Sequence, residues 1–187
     1  TKESPIYIKG NELYALHLAR FEIKNQDKAY IVEGYTDVVR LHSIGVINSV
    51  ATGGTALTKE QAKLLKRYTN KVTWIYDGDN AGQNAMARNA EILIKNQFHV
   101  SVIILPEKQD PDSLFTDKQT FLEYDEKQED FIIHKTALYA EKFSNDPVKK
   151  SEVIKRMAVL IACYDKTNQE VYLDFVSEHI KPKKAWQ

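Results

Sequence analysis

Cysteine is nearly absent from this sequence. The single Cys163 has no partner for an internal disulfide, and it excludes a cysteine-rich zinc site. A reducing, cytoplasmic compartment is the expected setting. Long apolar runs are also missing, and nothing approaches the roughly 18 residues that a spanning helix needs. Charge excess is missing too: 26 Lys and Arg balance 26 Asp and Glu. A whole-chain basic field therefore cannot hold a nucleic acid, and any such binding needs local patches or metal ions. The chain lacks an initiator Met at Thr1 and any signal-peptide pattern, and it reads as a piece of a longer protein. What remains is ordinary for a globular chain: 187 residues, 43% hydrophobic and 28% charged, enough to bury a core without covalent staples.

Short β-branched runs alternate with helical patterns between Lys28 and Leu114. The pattern predicts strands at Ala29–Val32, Ile47–Ala51, Val72–Tyr76 and Val100–Leu105. Helices are expected over Thr36–Ser43, from Thr58 to about Tyr68, and from Ala81 to about Gln97. Thr58-Lys59-Glu60-Gln61 has the form of a capping box. Such alternation implies an α/β fold with a parallel sheet flanked by helices. Before it, a helix is expected over Glu12–Ile23. After Leu114 the strand signals stop, and Phe131–Phe143, Pro147–Tyr164 and Asn168–Ile180 read as a C-terminal helical subdomain. The acid-rich stretch Glu123–Asp130 reads as a solvated linker or helix edge, and Cys163 as a core residue beside Leu160 and Ile161.

The chemistry follows from topology. Ligands of open parallel sheets bind outside the carboxyl ends of the strands. The first predicted strand is followed by Glu33-Gly34, the third by Asp77-Gly78-Asp79, and the fourth, after a short loop, by Asp110-Pro111-Asp112. Each motif alone has a plainer explanation: Asp-Gly-Asp is usually a turn, and Asp110 before Pro111 serves equally as a helix N-cap. Their common position at strand ends favours a shared site. Five like charges in one place need cations, and hard oxygen donors of this kind suit Mg²⁺ or Mn²⁺. Gly53-Gly54-Thr55 after the second strand can offer backbone N–H groups to a phosphate. The five histidines are scattered without ligand spacing, and Lys63, Lys66 and Arg67 read as a solvated helix face.

These residues resemble the Toprim domain, whose pattern is Glu-Gly after the first strand and Asp-x-Asp after the third. The likeness is closer to the bacterial DnaG-type primases. Glu33-Gly34-Tyr35-Thr36-Asp37 resembles that family's EGYxD, Ala51 to Thr58 its AT-x-GTALT, and Asp77 to Gly82 its DGDxAG, with Arg88 at the place of an arginine in the next helix. Leu105-Pro106 through Asp110-Pro111-Asp112 resembles LPxGxDPD, with Gln109 in a shortened loop. Lys9 to Leu16 resembles KGRxLYGL, with Asn11 and Ala15 replacing a basic residue and a glycine.

The resemblance implies residues 1–27 as the end of an N-terminal subdomain, 28–116 as Toprim and 117–187 as the helical subdomain. It implies synthesis of short RNA primers on single-stranded DNA from nucleoside triphosphates. Glu33, Asp77 and Asp79 would be the catalytic and metal-binding core, with Asp112 and Asp110 completing the metal set. Lys9, Gly34, Asp37, Gly54, Thr55 and Arg88 would face the nucleotide. Mg²⁺ or Mn²⁺ would be the cofactor, with no zinc in this segment. The expected partners are template, triphosphates and nascent primer, with the replicative helicase reached through a domain not placed here. No membrane partner is expected, and the segment is expected to be monomeric. Two other readings stand beside this one. A Toprim-containing topoisomerase or nuclease would share the acids, and a phosphoacceptor signalling module would share a doubly wound sheet.

Overall fold

The computed structural model describes residue 4 and residues 8–54, 56–76, 80–143 and 145–180; for 80–84 only the helical backbone is described. Packing divides the chain into two compact units, Thr1–Gln128 and Glu129–Gln187.

The first unit is built on four parallel strands: β1 (Ala29–Val32), β2 (Ser49–Ala51), β3 (Lys71–Tyr76) and β4 (His99–Ile104), lying in the order β2-β1-β3-β4. Tyr30 pairs with Ser49 on one side and with Thr73 on the other. The strands are buried on both faces, which is why they read as continuous apolar runs rather than alternating ones. Helices α1 (Leu16–Gln26), α2 (Tyr35–Ser43), α3 (Lys59–Leu65), α4 (Asn80–Lys95), α5 (Pro111–Leu114) and α6 (Lys118–Asp125) connect and cover them. One core cluster joins Tyr30, Val32, Ile75 and Ile103 of the sheet to Val38 and Leu41 of α2 and to Phe115 and Phe121. On β3, Trp74 and Tyr76 are both buried, with rings nearly parallel and centroids 5.2 Å apart.

The strand positions agree with the sequence to within two residues. The helix expected from Glu12 does not start there. Lys9–Asn11 forms a single 3-10 turn, and Tyr14 then pairs antiparallel with Ala51, exchanging N–H···O bonds of 2.9 and 3.2 Å. Ala15 turns through a left-handed conformation (φ 64°), and only then does α1 begin. A long-range backbone pairing thus overrides the local helical periodicity. The short α5 starts at the Asp110-Pro111 cap offered by the sequence, α6 was not foreseen, and α3 stops at Leu65. Cys163 is half-buried rather than core, with its thiol facing the Val159 carbonyl.

The compact unit extends to Gln128, later than the boundary at 116 expected from the sequence. The reason is α6: Phe121 enters the sheet's core cluster, and Lys28 Nζ meets Asp125 Oδ1 at 2.8 Å. The second unit opens with the two-residue strand β5 (Glu129–Asp130), followed by α7 (Phe131–Lys142), α8 (Pro147–Ile161) and α9 (Lys166–His179). Each helix has an aspartate N-cap: Asp130 accepts from the Ile132 and Ile133 N–H groups, Asp146 from Lys149 and Asp165 from Asn168. The three helices pack on one another, and Phe131, Ile132, Met157, Leu160, Tyr172 and Val176 are buried. Among the described residues, no helix is long and apolar enough to cross a membrane.

One buried side chain ties the N-terminal segment to the sheet. Gln61, fully buried at the start of α3, donates from Nε2 to the carbonyls of Lys9 (3.1 Å), Glu12 (2.7 Å) and Thr52 (3.4 Å). Its Oε1 accepts from the Thr58 N–H at 3.0 Å and completes the capping box, while Thr58 Oγ1 donates to the Gly10 carbonyl. Gln61→Leu keeps the volume but strands these groups without partners. We expect a loss of about 2–3 kcal/mol in urea unfolding, by the cost of unsatisfied buried polar groups. A loss below about 0.5 kcal/mol would show that water or a shifted segment replaces Gln61.

Candidate active site

The strand order changes direction between β1 and β3, because the chain passes from β1 to β2 on one side and crosses to β3 on the other. A crevice is expected at the carboxyl ends of these two strands. Glu33 follows β1 directly and is half-buried there. It lines a cleft of about 180 Å³ with Gly54, Ala56, Ala85, Arg88 and Asn89. Three of the residues nominated from the sequence, Glu33, Gly54 and Arg88, are therefore brought together. Asp77, Asp79 and Thr55 lie outside the described residues; Asp77 is the next residue after Tyr76, where β3 ends.

The loop after β1 is shaped for tight approach. Gly34 is the N-cap of α2, and its N–H donates to Asp37 Oδ2 at 2.9 Å. A Cβ on Gly34 would lie 2.7 Å from that same oxygen, so any other residue would displace the Asp37 carboxylate from this position. Opposite it, Gly53 adopts φ +80°, and a Cβ there would meet the Tyr35 hydroxyl at 2.7 Å. The Gly54 N–H donates to the Glu33 carbonyl at 3.0 Å, closing the β1 and β2 loops on each other.

Three further acids cluster beside α2. Asp37 is buried, and its carboxyl is held above the ordinary carboxylate value, chiefly by burial and further by the charges of Asp110 and Asp112. Asp110 is the N-cap of α5, with Oδ1 accepting the Ser113 N–H at 2.7 Å; hydrogen bonds from Ser113 lower its pKa. Asp112 meets Arg40 of α2, whose Nε lies 3.1 Å from both its Oδ1 and its backbone carbonyl oxygen. The Asp110-Pro111-Asp112 segment caps a helix, and its two acids lie close enough to Asp37 for their charges to act on it. Among the described residues, no three carboxylate, imidazole or thiol groups converge as a metal site.

Lys9 lines a second cleft, of about 210 Å³, with Glu12, Tyr14, His17, Tyr35, Thr52 and Gly53 among its walls. The Tyr14 and Tyr35 rings stand 4.6 Å apart there. The two clefts flank the Gly53-Gly54 turn, one receiving Gly53 and the other Gly54. Sequence reasoning missed Arg40, Gln61's long-range role and Asn89. Asn89 is buried and accepts the Leu57 N–H at 3.1 Å, fixing the loop after β2 to α4. Only the alternation of α4 could have pointed to it. Arg40 carries no local signal, because its partner lies 72 positions away.

An α/β sheet with acids gathered at its carboxyl edge defines a Toprim-like domain, and the Toprim-like family matches residues 30–115. The chain is similar to bacterial DNA primases, and the likeness runs beyond that domain. It is 38% identical over 184 residues to a DNA primase of Clostridium acetobutylicum, covering 94% of this chain and 30% of the relative. A DNA primase of Halalkalibacterium halodurans is 44% identical over 110 residues, 59% of this chain and 18% of the relative. Among solved structures, a DNA primase domain from Pseudomonas aeruginosa superposes with a TM-score of 0.80 at 29% identity, covering 97% of this chain and 59% of that one. A DnaG primase catalytic domain bound to single-stranded DNA gives 0.81 at 27% identity, covering 95% and 59%. The chain thus spans less than a third of the length of these curated relatives.

The acid cluster has a consequence in solution. The native state holds a proton on Asp37 more tightly than the unfolded chain does. Ionised Asp37 therefore costs stability above the raised native value, and that cost disappears as pH falls through it toward the ordinary 3.8. Burial and the neighbouring acids outweigh the favourable helix N-terminus. Asp37→Asn keeps an acceptor for the Gly34 N–H and removes the charge. In chelator at pH 7 it should unfold at a urea concentration equal to or above wild type, by no more than about 1 kcal/mol. The difference should shrink as the pH is lowered. A variant clearly weaker at pH 7 would mean that the carboxylate charge stabilises α2.

Proposed function

We propose that this chain supplies the acid-bearing part of a primase active site, for the metal-dependent joining of ribonucleotides on a single-stranded DNA template. The observation that carries the reading is the placement of Glu33 and Arg88 in one cleft, at the β1 end of the sheet's switch point. Kinship with DNA primases over nearly the whole chain supports it. The donor set fits Mg²⁺ or Mn²⁺, since it is made of carboxylates and contains no thiolate. Glu33, Asp77 and Asp79 would hold the ion, with Asp112 and Asp110 beside them. Bound there, it would neutralise triphosphate charge and favour ionisation of the primer 3′-hydroxyl.

The chain's own residues do the rest. Arg88 presents a cation beside Glu33 and can face a phosphate oxygen that Glu33 would otherwise repel. Lys9 offers a second cation from the neighbouring cleft. The Gly53-Gly54 turn lets a phosphate come close to the backbone, and Asp37 keeps the Gly34 N–H engaged, so that Glu33 is delivered in one place. Glu33 can act as ligand or as base toward the 3′-hydroxyl. In whole primases of this plan the template, triphosphates and growing primer would bind across this edge, and the helicase would dock through a separate domain. The cytoplasm is the matching compartment.

Two measurements test this. Asp77→Ala should lose most Mn²⁺ binding in a calorimetric titration without losing metal-free stability, since one ligand and one source of repulsion go together. Unchanged Mn²⁺ affinity would overturn the ligand assignment. Residues 1–187 alone should make little or no primer. A longer chain that adds the N-terminal part of the polymerase region should make it, and Glu33→Gln should abolish that synthesis. Robust, salt-resistant synthesis by residues 1–187 would show that the template surface lies within this chain.

A further inference from the structure

A further cleft with a charged lining lies in the helical unit. It measures about 400 Å³ and is lined by Tyr139 and Phe143 of the α7 end and by Lys149, Glu152, Val153 and Arg156 of α8. The Tyr139 and Phe143 rings are half-buried, 5.7 Å apart and inclined at 31°, so together they form a shallow aromatic floor. Lys149 and Arg156 are seven residues apart on one helix and lie on the same face, about 10 Å from each other along the axis. The lining carries two cations, Lys149 and Arg156, against one acid, Glu152, in a chain of zero net charge.

We infer that this cleft binds single-stranded nucleic acid, with a base stacked on the Tyr139–Phe143 floor and Lys149 and Arg156 on the flanking phosphates. Aromatic floors beside basic residues are how single strands are held without sequence preference, because every base has a π-face and every link a phosphate. The lysines are placed to allow it. Lys142 and Lys149 Nζ lie 5.8 and 5.7 Å from the Phe143 centroid, at the outer limit of cation–π attraction. Both side chains are exposed, so either ammonium can swing to a phosphate and uncover the ring. Lys149 also meets Asp146 at 3.5 Å, an exposed pair that a phosphate can replace. Glu152 on the same wall opposes close phosphate approach at the centre, which leaves that position to a base edge or sugar hydroxyl. Charge complementarity and the paired rings favour a nucleic acid over an acidic peptide, which has the charge but nothing to stack.

The site shares no residue with the acidic cleft, so it stands or falls separately from the primase reading. The test is fluorescence anisotropy of residues 1–187 with a short labelled oligothymidylate, at several salt concentrations. Phe143→Leu, which keeps the apolar volume, should weaken binding about fivefold or more. Arg156→Gln should weaken it and make the salt slope shallower by about 0.7, the change expected for one lost phosphate contact on a single strand. Lys24→Gln, at an exposed position of α1 that lines neither cleft, should leave it unchanged, and ultraviolet cross-linking should place the oligonucleotide on Tyr139 or Phe143. Circular dichroism confirms that each variant is folded. Wild-type affinity and slope in both cleft variants would overturn the assignment, as would cross-links confined to residues 1–128. An oligoglutamate peptide that competes at equal charge concentration would assign the cleft to an acidic protein partner instead.

Discussion

Carboxylates crowded at one edge of a parallel sheet repel one another, and much of the surrounding structure is arranged to tolerate that repulsion. Glu33 and Asp37 lie on one side of the loop after β1, and Asp110 and Asp112 come from the segment after β4. Three of them have defined local duties. Asp37 accepts the Gly34 N–H, Asp110 caps α5, and Asp112 takes Arg40 at two points. Each bond offsets part of the cost of holding an anion near others. The compensation is incomplete at Asp37, whose carboxyl stays above its ordinary value. A residual negative field at a sheet edge, beside a cleft holding Arg88, is what a site for cations and phosphates requires.

The parts legible in the sequence are those with local causes. β1 matches its predicted span, because Ala29-Tyr30-Ile31-Val32 can only be a strand buried on both faces. The Thr58–Gln61 capping box and the Asp146-Pro147 start are readable from four residues or fewer, and both are present as expected. What the sequence hid depends on distant partners. Nothing near Tyr14 shows that it will pair with Ala51, and nothing near Ala15 requires a left-handed turn. The same holds for the site: Glu33 was found from its place after a strand, whereas Arg40 matters only through Asp112. Gln61 shows both cases in one side chain. Its bond to Thr58 is a local cap, and its bonds to Lys9 and Glu12 are visible only in three dimensions.

Sheet order alone does not separate the competing readings. The order β2-β1-β3-β4 also occurs in doubly wound signalling and flavin-binding folds, which place their ligands at the same β1–β3 switch point. The distinction comes from what the loops carry. A phosphoacceptor module needs acids grouped after its first strand, but here β1 delivers Glu33 and then the Gly34 turn. The antiparallel Tyr14–Ala51 pairing also matters, since it brings Lys9 and Tyr14 against Thr52 and Gly53. That cation approaches from outside the sheet and belongs to the segment resembling the primase KGRxLYGL motif. Topoisomerases and nucleases of the Toprim class share the acids, but the kinship found here extends through the helical unit and runs to primases.

Zero net charge conceals opposite surfaces. The sheet edge carries Glu33, Asp37, Asp110 and Asp112 against Arg40 and Arg88, while the α7–α8 cleft pairs Lys149 and Arg156 with one acid, Glu152. Fields of this kind act over about a Debye length, roughly 8 Å at physiological salt, so the charges lining each surface set its own attraction for a ligand. A polyanion is therefore not repelled by the whole molecule, nor attracted by it. On the proposed reading it would be held where cations and rings coincide, and it would approach the acidic edge only with cations that neutralise both partners. Such a chain would bind nucleic acid weakly at any one point, which would suit a strand that slides past while nucleotides are joined. Strong uniform positive charge would hold the strand still. Local patches, rather than net charge, would then set how tightly and where the strand is held.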